Sequence, residues 1–144
     1  MKKNVLYAMA FALLAITNLA SAGVSIRQVV EGGVSGEFNC AYKGKTASKK
    51  CYVSNVDEVV TNKDLVAFYG AGGKAKSVKM QVLNVLWPDN THSRFAWGDS
   101  MEISNLDARN GESYALKFSE WPEIDYKKGL VLLDDKGKEY IRLW

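Results

Sequence analysis

The chain reads as an all-β protein: a single antiparallel β-sandwich or small barrel with one disulfide and at most one or two short helical turns. Three observations lead there. After residue 22, apolar and polar residues alternate with a period of two over most of the length, the pattern of strands with one buried face. Clusters of Gly, Asn, Asp and Pro break the alternation at intervals of roughly eight to twelve residues, as in domains built of many short strands. The chain has two cysteines, Cys40 and Cys51, and in an exported protein such a pair is most simply a disulfide.

Export is read from residues 1–22. Lys2 and Lys3 make a basic start, Val5 to Leu14 is an almost unbroken apolar run, and Ala20-Ser21-Ala22 supplies the small residues a signal peptidase accepts. Cleavage is expected between Ala22 and Gly23, leaving residues 23–144 as one exported β domain. The apolar run is shorter than the roughly 20 residues of a membrane-spanning helix, and no Cys stands at position 23 to take a lipid. A periplasmic or secreted protein with no transmembrane segment follows. Cleavage removes two lysines and no acid from a chain of net charge +3. The remainder has no global positive field, so no nucleic-acid partner is expected.

Taken in order, Val24, Ile26 and Gln28 open a first strand that Glu31-Gly32-Gly33 ends. Phe38, Cys40 and Tyr42 share one face of a second, and Cys51 and Val53 share one face of a third, so Cys40–Cys51 staples two neighbouring strands around the loop Lys43 to Lys50. Val56, Val59 and Val60 have helical spacing with Asn55 as a cap, but valines are weak helix formers and support a single turn at most. Leu65, Ala67 and Tyr69 alternate up to the Gly70–Gly73 turn. Val78 to Trp87 is the longest alternating run and is apolar on both faces at its far end, as in a doubly covered central strand. Phe95 and Trp97 follow, then a short turn within Ser104 to Asn110, then Tyr114, Leu116 and Phe118, then Leu130 and Leu132. Asp135-Lys136-Gly137-Lys138 is a hairpin turn, and Tyr140, Arg142 and Trp144 share the last strand's face. In all, roughly eight to ten strands make a sandwich or barrel.

Chemistry is sparse. Lys43, Lys45, Lys49 and Lys50 crowd the loop between the cysteines, with Tyr42 and Tyr52 at its base. A constrained loop loses little entropy on binding, and its ammonium groups steer it toward a carboxylate-lined cleft. The plain reading is a solvated hairpin in which lysine blunts edge pairing. Three segments, Trp87-Pro88-Asp89, Trp97-Gly98-Asp99 and Trp121-Pro122-Glu123, each join a tryptophan, a turn former and an acid. Rings beside acceptors suit sugar binding, whereas plain core cover at strand ends explains them equally.

No catalytic set emerges. Glycosidases need two carboxylates in different environments, and no spacing picks a pair among Asp89, Asp99, Glu123 and Asp125. His92, the one histidine, lies in a polar turn without a nucleophile elbow. Gly70-Ala71-Gly72-Gly73-Lys74 lacks the first Gly and the Ser/Thr of a phosphate loop. Two cysteines and one distant histidine do not make a zinc site, and no cofactor is implied. Trp144 suggested an outer-membrane barrel, but the strands are too short and their outer faces too polar. No family motif stands out. The expectation is a non-catalytic exported domain that binds a protein partner in the cell envelope. Its concrete form is an inhibitor or immunity protein whose basic loop enters the acidic cleft of a cell-wall-degrading enzyme. A glycan-binding module using the turn tryptophans, or an envelope structural component, is the alternative.

Overall fold

The computed structural model describes residues 23–70, 72–98, 102–120 and 123–144. The segment read as an export signal lies outside them, as do Asp99 and Trp121. Two helices and ten strands are described: α1 (Ile26–Gly32), β1 (Gly36–Phe38), β2 (Cys40–Tyr42), β3 (Lys45–Thr46), β4 (Cys51–Val60), α2 (Lys63–Tyr69), β5 (Val78–Leu86), β6 (His92–Trp97), β7 (Glu102–Asn105), β8 (Ala115–Phe118), β9 (Leu130–Leu133) and β10 (Glu139–Leu143). The strands form one antiparallel sheet in the order β1-β4-β5-β6-β7-β8-β9-β10-β2-β3.

From β4 to β10 each strand pairs with the next in sequence, a meander whose longest ladder runs from Tyr52↔Leu86 to Val60↔Val78. The sheet is not closed by a ladder, yet its two borders meet through the chain. β1 pairs with β4 and β2 pairs with β10, while only Asn39 separates β1 from β2. The Asn39 N–H donates to Trp144 O at 2.8 Å and the Trp144 N–H returns to Asn39 O at 3.0 Å. Phe38, Cys40, Val53, Leu83, Val85, Phe95, Ile103, Leu116, Leu132 and Leu143 therefore reach one shared interior. The sheet curls around this core because alternate side chains on strand after strand are apolar and turn the same way.

The disulfide joins β2 to β4, with Cα atoms 6.0 Å apart. These are not neighbours in the sheet, contrary to expectation: Cys51 faces Phe38, and Cys40 faces Leu143. The bond therefore ties the β10 side of the sheet to the β4 side, across the point where the chain passes from one border to the other.

Three local expectations are corrected. The first segment is helix α1, not a strand. The Ser25 hydroxyl accepts from the Gln28 N–H, and the Gln28 amide oxygen accepts from the Ser25 N–H at 2.8 Å, completing a capping box. Ile26, Val29 and Val30, at helical spacing, are buried on the core, and Gly33 ends the helix at φ 68°. Leu65, Ala67 and Tyr69 lie in helix α2, where the Asn62 side chain accepts from the N–H groups of Asp64 and Leu65. Val56, Val59 and Val60 are strand, because β-branched residues suit the long β4–β5 ladder better than a helical turn. Asn55 does not cap. Buried on the core side, it donates to Val30 O and Gln81 Oε1 and accepts from the Trp97 indole.

α2 covers the outer face of β4–β6 with Leu65 over Val60, Met80, Val82 and Ala96. β5 thus buries side chains on both faces, Leu83 and Val85 toward the core and Met80 and Val82 under Leu65 of α2. Among the described residues, no helix is long and apolar enough to cross a membrane.

Candidate binding cleft

Antiparallel pairing brings alternate connections to the same end of the sheet. Tyr42 with the segment after β3, the Trp87–Thr91 loop between β5 and β6, and the loop from Leu106 to Tyr114 between β7 and β8 converge there around an open cleft of about 310 Å³. Each wall has a local cause. Tyr42 pairs with Lys45 across two residues, Lys43 at φ 51° and Gly44 at φ 83°, a primed hairpin turn that needs a left-handed residue such as Gly. Ala47 returns its N–H to Cys40 O at 2.9 Å, so Ala47 and Ser48 form one side of the cleft. In the next loop Trp87 accepts Asn90 N–H at 2.9 Å, with Asn90 itself at φ 69°, a conformation Asn tolerates.

Aromatic rings back the cleft. Trp87 meets Tyr42 edge-on at 5.8 Å, and Tyr42 meets Tyr140 at 5.4 Å. The Trp87 indole N–H donates to Ser93 Oγ at 2.8 Å, so its polar edge is satisfied within the fold. Tyr140 is 4 % exposed and its hydroxyl accepts from the buried Asn105 amide at 3.1 Å. Burial, with the Glu112 carboxylate nearby, pushes the Tyr140 phenol up to about 12.

Glu112 is the centre of the polar network. Its carboxylate accepts from the Tyr42 hydroxyl, from the Arg109 N–H at 2.7 Å, and pairs with Lys43 Nζ at 3.2 Å. Asp107 holds Arg94 through two hydrogen bonds of 3.1 and 3.2 Å. Asp89 accepts from the Thr91 hydroxyl at 2.6 Å and from its N–H at 3.0 Å, and these bonds hold the Asp89 carboxyl below the usual range.

The residues singled out from sequence divide between the two ends of the molecule. Tyr42, Trp87 and Asp89 line the cleft, with His92 beside them. Lys43 is at its edge, paired with Glu112 and 5.3 Å above the Tyr42 ring. Lys45, Lys49 and Lys50 are exposed on the same hairpin and make no ion pair among the described residues. Tyr52 lies on the opposite face of its strand from Cys51 and Val53, and its hydroxyl donates to Ser35. Tyr42 and Tyr52 do not share a base.

Trp97 sits at the far end of β6, bonded to Asn55 and packed edge-on against Phe118 at 5.6 Å. Glu123 is exposed in the β8–β9 connection, also remote from the cleft. Trp87 and Trp97 therefore do not form one platform. Arg109, Glu112 and Tyr140 were not recognised as site residues from sequence. Asn110-Gly111 read only as a turn, and the strand pairing is what carries that turn to Tyr42. Among the described residues no group of three His, Cys, Asp or Glu side chains could hold a metal ion.

The arrangement offers aromatic edges, one histidine and cationic side chains to something that enters from solvent. Comparison with protein-family models, with curated proteins and with solved structures found no match.

Proposed function

We propose that this domain is a non-catalytic binder of a protein partner in the cell envelope, acting as an inhibitor or immunity protein against a cell-wall-degrading enzyme. The observation that carries the reading is the basic hairpin. Lys45, Lys49 and Lys50 project from a segment bracketed by the β2–β3 ladder and the Cys40–Cys51 bond, with no carboxylate of the described chain to neutralise them. A positive, pre-ordered surface associates fast with an acidic cleft and loses little conformational freedom in doing so. Occluding a pair of catalytic carboxylates requires no chemistry from the inhibitor. Export, indicated by residues 1–22 and consistent with the disulfide, would place the domain beside such enzymes.

The test compares the oxidised 23–144 domain with its Lys45→Glu/Lys49→Glu/Lys50→Glu variant, both immobilised and exposed to envelope extract and secreted proteins. The native domain retains a hydrolase that elutes as salt rises and whose activity the domain suppresses; the variant retains none and unfolds at the same temperature. Equal retention by a folded variant removes the hairpin from the proposal. The glycan-binding alternative keeps one observation in its favour, Trp87 and Asp89 in the same cleft. Under that reading, millimolar cell-wall sugars change the tryptophan fluorescence.

A further inference from the structure

We infer that the cleft beside the hairpin is a seat for an acidic side chain of the protein partner, anchored by Arg109. The inference rests on the protein-binding reading and adds the chemistry of the contact. It starts from which charges are already committed. Each carboxylate lining the cleft has partners within the chain: Asp89 has Thr91, Asp107 has Arg94, and Glu112 has Tyr42, Lys43 and the Arg109 N–H. The Arg109 guanidinium makes no such bond, although its charge acts on Asp89 and on Tyr140. It lines the cleft and is exposed, with no hydrogen bond or ion pair to a side chain among the described residues. Its main chain is nevertheless fixed, because Arg109 donates to Glu112 Oε1 at 2.7 Å and accepts from the Glu112 N–H at 2.9 Å.

Of the three carboxylates of the lining, Asp107 is paired with Arg94 and Glu112 with Lys43, while Asp89 is held by Thr91 with the Arg109 charge acting on it. Lys45, Lys49 and Lys50 then leave the rim positive. A planar guanidinium with unused donors fits a carboxylate in two-point geometry better than a lysine does. The edges of Trp87 and Tyr42 offer apolar contact to the methylenes that carry such a carboxylate, and His92 and Ser48 offer further donors. The volume is at the small end for ligand sites, suited to one or two side chains. Ala47 and Ser48 line the cleft while Lys45, Lys49 and Lys50 flank them in sequence, so the positive surface continues out of the cleft onto the hairpin. That extent matches an acidic protein surface, which must cover an area far wider than one pocket to bind stably, rather than a free anion.

The experiment is a nuclear magnetic resonance titration of the ¹⁵N-labelled oxidised domain at low salt with a capped hexaglutamate peptide, a capped hexaglutamine peptide and N-acetylmuramic acid. Hexaglutamate is expected to shift the Trp87 indole and His92 amide signals, an effect that weakens with salt; hexaglutamine is expected to shift neither. Arg109→Gln should raise the hexaglutamate dissociation constant about tenfold or more, the loss of one good charged contact. Lys45→Gln/Lys49→Gln/Lys50→Gln should weaken binding yet leave the same cleft signals moving. Unchanged affinity in Arg109→Gln, or shifts confined to residues 43–50, overturns the seat and leaves the hairpin reading standing. Shifts with N-acetylmuramic acid and none with hexaglutamate overturn it in favour of an anionic sugar. Failure of the hairpin reading appears separately, as unaltered retention of the partner by the charge-reversed domain.

Discussion

Glu112 shows how much one side chain can organise. Its carboxylate ties the β2–β3 hairpin to the β7–β8 loop through Tyr42 and Lys43, and the Tyr42 contact spans 70 positions of sequence. With the Glu112 side chain 5 % exposed, removing the carboxylate leaves donors short of acceptors. Glu112→Leu is expected to destabilise the fold by about 1–3 kcal/mol and to loosen the hairpin, measurable by denaturant titration and by faster amide exchange at Lys43 and Gly44. Tyr140 adds a pH dependence. Its phenol is raised from 10 to about 12 in the folded chain, so the folded state holds the proton more tightly than the unfolded state. The corresponding stability is complete below about pH 10 and disappears as pH rises through about 12, by at most about 2–3 kcal/mol. Tyr140→Phe should therefore lower stability modestly at neutral pH, through loss of the Asn105 bond, yet lessen the decline between pH 10 and 12, to which Tyr126, pushed up to about 12 by burial, also contributes. Melting temperatures across that range decide it.

At the scale of elements, the caps were the readable signals that the alternation concealed. Val24, Ile26 and Gln28 alternate, but Ser25 and Gln28 stand at capping-box spacing and Ile26, Val29 and Val30 mark a helical face. Both patterns are written in the same residues, and the helix prevails because it satisfies its own first N–H groups while burying three side chains. Ser25→Ala should cost about 1 kcal/mol, seen as a lower melting temperature and loss of helical ellipticity. In α2 the same logic applies through Asn62. The converse holds at Val56, Val59 and Val60, whose helical spacing yields to nine paired positions between β4 and β5. Gly44 marks where a turn needs its residue: a Cβ there meets nothing within 4 Å, but φ is 83°, so Gly44→Ala should destabilise by about 1 kcal/mol through backbone strain alone.

For the molecule as a whole, the disulfide joins regions that the sheet ladders leave apart. Closing a loop of this length restricts the unfolded chain by roughly 3 kcal/mol on the entropy argument. Cys40→Ala/Cys51→Ala should lower the denaturant midpoint accordingly and, on the binding proposal, weaken partner affinity by loosening the hairpin. A variant that loses stability but not affinity would show that the ladder alone orders the hairpin. Much of the architecture was legible in the chain itself. Period-two alternation identifies strands because successive side chains on an extended backbone point to opposite faces, and that rule needs no knowledge of neighbours. By itself the sequence determined the β character, the cysteine pair, the turn at Gly137 and the apolar faces from Val78 to Leu86. Only the tertiary structure decided that Trp87 and Trp97 stand at opposite ends, that Lys43 is paired with Glu112, and that Arg109 stands exposed in the cleft that Tyr42 also lines. Those outcomes depend on strand order and on which distant loops share one end of the sheet, and long-range pairing leaves no local pattern for a single sequence to display.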